Sequence, residues 1–67
     1  MHSAHYEITI RGRLGDTLID AFDGLTATST PAQTVLRGEL ADQAALYGVL
    51  ERIESFGLEL LDVHVTP

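Results

Sequence analysis

From His5 to Arg13 the chain alternates, with Tyr6, Ile8 and Ile10 on one side and Glu7, Thr9 and Arg11 on the other. A period of two carried by aromatic and β-branched residues predicts a half-buried strand. Gly15-Asp16 then marks a helix start, with Asp16 as the N-cap whose carboxylate accepts from free backbone N–H groups. Leu18 and Phe22 share a face of this short helix beside Ile19 and Ala21. Gly24 closes it, because glycine tolerates the left-handed cap conformation. Leu25 to Thr30, LTATST, reads as a second strand, with its threonines on one face and Leu25 and Ala27 on the other. Pro31-Ala32 supplies a turn before a third strand, QTVLRGEL, and so short a connection joins antiparallel neighbours. Asp42 caps a second helix. Within it Leu46, Val49, Leu50, Ile53 and Phe56 keep the spacing of a buried stripe, while Glu51, Arg52 and Glu54 face water. Gly57 suits the C′ position of that helix. LELLDVHV then forms a fourth strand, in which Leu61, Val63 and Val65 alternate against Asp62 and His64.

The predicted order is β-α-β-β-α-β. Right-handed crossovers place both helices on one face of a four-stranded antiparallel sheet, which is the ferredoxin-like arrangement of the α+β class. Residues 1–67 form a single domain, with residues 1–4 expected to be disordered. The other sheet face is left open. It carries Glu7, Thr9, Arg11, Arg37, Glu39, Asp62 and His64, joined by the threonines of the second strand. Ion pairs are expected there between Arg37 and Glu7 and between Arg11 and Glu39, each contributing about 0.2–1 kcal/mol.

Composition adds a size constraint. A chain of 67 residues is marginal, hiding only about 60% of the surface that its unfolded form exposes. Disulfides, a metal or an oligomeric partner commonly support such a domain, and the absence of cysteine removes disulfides and thiolate metal sites. MHSAHYE has neither the basic start nor the apolar run of a signal peptide, and no apolar run could span a bilayer. The expected location is the cytoplasm. Ten acidic residues against four arginines, with no lysine, give a net charge of −6. That balance opposes nucleic-acid binding and attachment to an anionic membrane. Arg11, Arg13 and Arg37 lie in the strand-like first half, whereas Asp42, Glu51, Glu54, Glu59 and Asp62 crowd the second.

Candidate chemistry is sparse. Gly12-Arg13-Leu14-Gly15 matches the GXXG loop of KH domains, but that loop joins two helices and a strand precedes it here. A dinucleotide fingerprint would need a third glycine. Gly12 is better read as a strand bulge and Gly15 as part of the helix start, with Leu14 anchoring the crossing to the core. His2 and His5 are spaced like metal ligands yet sit at the terminus, and no metal site is expected. His64 could act as a base oriented by Asp62, but Ser3, Ser29 and Ser55 lie in no nucleophile context. No catalytic residue or cofactor is therefore assigned. Gly48 costs its helix about 1 kcal/mol relative to alanine, which suggests close approach of another element, most simply the first helix. Tyr47 beside it covers the helix edge or contacts a partner. Arg11, Arg13, Asp16, Arg37 and His64 are the candidate ligand- or partner-binding residues.

The segments YEITIRGRLG, AFDGLTAT, TVLRGELADQAALYGVLERI and FGLELLDVHV together resemble a group of small actinobacterial proteins of uncharacterised role. The resemblance runs from Tyr6 to Val65, with Asp42–Ile53 its most specific block. It implies the fold and the cytoplasmic location, and it brings no chemistry. The element order is also similar to that of ACT-type regulatory domains, which bind small ligands at subunit interfaces. In those domains the ligand loop follows the first strand, here Arg13-Leu14-Gly15-Asp16. The loop departs from that family's Asp-x-x-Gly order, and the helix after it is shorter. Three readings follow. The leading one is a non-enzymatic interaction or regulatory module acting as a homodimer. The second is an ACT-like sensor whose Arg11, Arg13 and first-helix N-terminus receive an anionic metabolite or amino acid. The third is a small dimeric barrel enzyme using His64, which would need an apolar cavity between sheets.

Overall fold

The most regular alternation in the chain becomes the centre of the sheet. The computed structural model describes residues 3–66. It contains strands β1 (Ala4–Arg11), β2 (Thr26–Ser29), β3 (Gln33–Leu40) and β4 (Leu60–Thr66), with helices α1 (Asp16–Asp20) and α2 (Gln43–Ser55). Strand order is β2-β3-β1-β4 and every neighbouring pair is antiparallel. This βαββαβ topology is consistent with a ferredoxin-like fold.

β1 and β3 pair along their whole lengths, from Ala4 opposite Leu40 to Arg11 opposite Gln33. Ile8 therefore lies between Leu36 on β3 and Val63 on β4. Ile8, Ile10 and Leu36 are fully buried and form the core with Leu14, Phe22 and Ile53. Leu46, Val49 and Leu50 of α2 pack against that cluster. Phe56 is 41% exposed but meets Phe22 edge-to-face, with ring centroids 6.0 Å apart. Arg52, expected to face water, also reaches across to donate to the carbonyl of Ala21 at the end of α1.

Helix α2 starts and stops as its sequence requires. The Asp42 carboxylate accepts from Ala45 N at 2.9 Å. At the other end Gly57 adopts φ +72°, and Gly57 N and Leu58 N donate to the carbonyls of Glu54 and Ile53. Those two bonds make a Schellman cap. Helix α1 differs from expectation. Its N-cap is Gly15, with no side-chain cap bond, and Asp16 is the first helical residue. The Gly15 carbonyl accepts from both Leu18 N and Ile19 N, so the backbone alone closes the first turn. The helix ends before Gly24, which at φ +83° turns the chain into β2.

Other boundaries move for local reasons. β1 stops at Arg11 because Gly12 takes φ +85° and donates to Ala32 O, making it a strand exit. The irregularity in the ladder lies elsewhere, where Thr9 faces Asp62 but Ile10 faces Leu60, leaving Leu61 as the extra residue. Ala4 already belongs to β1, and Ser3 Oγ donates to Glu39 at 3.0 Å. Of the residues expected to be disordered, Met1 and His2 lie outside the described range.

Two features were not anticipated from sequence. Thr34 is fully buried on β3. Its hydroxyl donates to Gly12 O at 2.9 Å and accepts from Leu14 N at 3.1 Å, with Ser29 Oγ 3.2 Å away. One side chain thus fastens the β1–α1 loop. Close approach, expected at Gly48, occurs instead at Gly38. A Cβ there would meet Leu25 Cδ2 at 2.7 Å and Gly24 O at 2.9 Å, whereas one at Gly48 would meet nothing.

Urea unfolding should order three variants. Gly38→Ala should lose about 1–3 kcal/mol by overpacking against backbone. Thr34→Val should lose about 1–3 kcal/mol through unsatisfied buried groups at Gly12 and Leu14. Gly48→Ala should gain up to about 1 kcal/mol from helix propensity.

Candidate functional site

The open sheet face is organised around Glu7. β1 is an inner strand, and its register sets Glu7 opposite Arg37 on one side and His64 on the other. Arg37 Nε donates to Glu7 Oε2 at 3.1 Å, and His64 Nε2 lies 3.5 Å from Glu7 Oε1. The row extends both ways. Arg37 Nη1 donates to Thr28 Oγ1 on β2 at 3.4 Å, while His64 Nδ1 lies 2.6 Å from Asp62 Oδ2 on β4. Asp62, His64, Glu7, Arg37 and Thr28 therefore cross all four strands as one polar line.

The chemistry of the row is mutual satisfaction. Both nitrogens of His64 face carboxylates, Nδ1 at 2.6 Å from Asp62 and Nε2 at 3.5 Å from Glu7. The side chains stay substantially in water, from 27% exposure at Glu7 to 58% at Asp62. Screening keeps each such pair weak. Thr28 is a hydroxyl at the far end of the row from His64. Among the described residues no group of three metal-binding side chains is placed to hold an ion. His5 sits on β1 opposite Glu39 and Thr66, and its suggested partner His2 lies outside the described range.

The candidate residues thus separate. Arg37 and His64 meet through Glu7. The expected Arg11–Glu39 pair does not form, because Arg11 lies at one end of β1 and Glu39 opposite His5 at the other. Arg11 Nε instead binds Glu59 Oε1 at 3.0 Å, just before β4. Arg13 and Asp16 are exposed in and after the β1–α1 loop, away from the row. Glu7 lies on the face its alternation predicts and pairs with Arg37 as expected. Its central place in the row follows from its inner strand, which gives a residue two lateral neighbours.

A groove lies on the opposite side of the domain, lined by Gly48, Glu51, Arg52 and Ser55 of α2.

A double-mutant cycle on Glu7→Ala and Arg37→Ala, read by urea unfolding, should return a coupling of about 0.2–1 kcal/mol that shrinks with added salt. The same cycle on Arg11→Ala and Glu39→Ala should return none.

No described helix is long and apolar enough to cross a membrane. No curated protein and no solved structure matches the chain. A family model described as a domain of unknown function, DUF8691, matches residues 5–64. That span takes in both helices and the polar row from Glu7 to His64, and the chain belongs to the DUF8691 family.

Proposed function

We propose that this domain is a non-enzymatic interaction module that works as a homodimer. The observation that carries the reading is the contrast between a core of six buried apolar side chains and an edge strand that leaves Leu60, Leu61 and Val65 in water. Covering apolar surface on that strand supplies stabilisation at about 25 cal/mol per Å², which a domain of this size lacks internally.

The polar row supports the non-enzymatic part. Its charges are spent on one another, on an open face with no enclosing wall, and the α2 groove contains none of them. Anion sensing at the β1–α1 loop draws less support. Arg11 is held by Glu59, and the Asp16 carboxylate already stands at the start of a five-residue helix. A barrel enzyme using His64 would need apolar residues where Glu7, Arg37, Glu39 and Asp62 face outward.

Sedimentation equilibrium from about 1 to about 500 μM should show a monomer–dimer equilibrium, with Tm rising as protein concentration rises. Monomer mass and a constant Tm across that range would overturn the homodimer.

A further inference from the structure

We propose that the dimer forms by antiparallel pairing of β4 with β4 of a second copy, with Val63 on the twofold axis. This deepens the homodimer reading and rests on it.

The two sheet edges are unlike. β2 offers four residues, Thr26–Ser29, all small and mostly hydroxylated. β4 offers seven, including Leu61 at 41% and Val65 at 58% exposure, with no lysine or proline along its length. Shortness, proline, charge and bulges are the usual devices that keep an edge from pairing; β2 is short, whereas on β4 they amount to Asp62 and the bulge at Leu61. The regular run of β4 is Asp62–Thr66, with Leu61 as the extra residue at its end, and Leu61–Val65 is the stretch centred on Val63.

That segment reads as its own complement. About Val63, Asp62 is matched by His64 and Leu61 by Val65. Antiparallel pairing across a twofold axis at Val63 therefore sets Asp62 opposite the partner's His64, and Leu61 opposite the partner's Val65. Directly opposed residues point to the same side of a sheet. Asp62 and His64 share the open face through Thr9 and Glu7, while Val63 and Val65 oppose Ile8 and Tyr6 on the other. An axis between residues would set open-face side chains against core-face ones and is excluded. Moving the axis to Asp62 opposes two aspartates, and moving it to His64 opposes two histidines. Only Val63 sets a carboxylate opposite an imidazole and apolar residues together.

The resulting assembly joins two four-stranded sheets into one. The row from Thr28 to Asp62 then continues across the axis into the same row of the second copy.

Cysteine scanning tests the register, since the chain has no native cysteine. Opposed Cβ atoms lie about 4.5–5.5 Å apart, near disulfide reach. Under mild oxidation Val63→Cys should form disulfide-linked dimers, and an equimolar mixture of Leu61→Cys and Val65→Cys should form the mixed disulfide. Each of those two alone should cross-link at least about tenfold more slowly. Leu61 and Val65 are exposed in the single chain, so charge can be introduced there with the fold retained, as circular dichroism would verify. Leu61→Lys and Val65→Glu should each raise the dimer Kd at least about tenfold, and the double variant should recover much of that loss. A wild-type dimer whose Kd is unmoved by either charge overturns pairing through β4 and leaves the homodimer standing. Weakening by both charges without the Val63→Cys cross-link overturns the register. A wild type that stays monomeric to about 500 μM removes the homodimer and this interface together.

Discussion

With Ile8 held between Leu36 and Val63, a slip of one residue in β1 would send Ile8 and Ile10 into water and Glu7 into the core. Burying an unpaired carboxylate is far costlier than any pairing the slipped ladder could regain. The register of this inner strand is thus fixed by its own alternation. It then fixes everything placed on the outer face. Glu7 meets Arg37 and His64 because Ile8 meets Leu36 and Val63. Core packing and surface electrostatics here are two readings of one ladder.

The features that sequence made legible are those with a local cause. Alternation in β1, the Asp42 cap and the Gly57 stop each depend on residues a few positions apart, and each stands where the pattern places it. The Glu7–Arg37 pair was legible for a related reason, since two adjacent antiparallel strands leave little freedom at their middles. Arg11 was not, because its partner Glu59 lies ahead of β4, where the turn after α2 delivers it. Thr34 and Gly38 were opaque for a different reason. Thr34 is a threonine among strand residues until the loop at Gly12 and Leu14 folds back over it. Gly38 looks like a weak point in a strand until Leu25 is laid across it. Gly48 is the mirror case, a helical glycine that borders open space.

Of the five candidate site residues, the fold unites two. Arg37 and His64 stand on strands either side of Glu7, whereas Arg11, Arg13 and Asp16 cluster only in sequence. Adjacency along the chain suggested a binding loop. Adjacency across the sheet produced a polar row. In a domain dominated by non-local strand pairing, the second kind determines which groups can act together.

The position of β1 also bears on how the chain acquires its structure. Both of its neighbours, β3 and β4, lie downstream of it, so during synthesis Ile8 and Ile10 emerge before any strand that can shelter them. The β2–β3 hairpin, closed by the turn at Pro31-Ala32, is the most local strand pairing of the sheet. In the finished sheet β1 lies on the edge that β3 leaves free, and α2 packs on the core that β1 and β3 share. Ile8 and Ile10, fully buried in the native sheet, thus depend for cover on strands made after them.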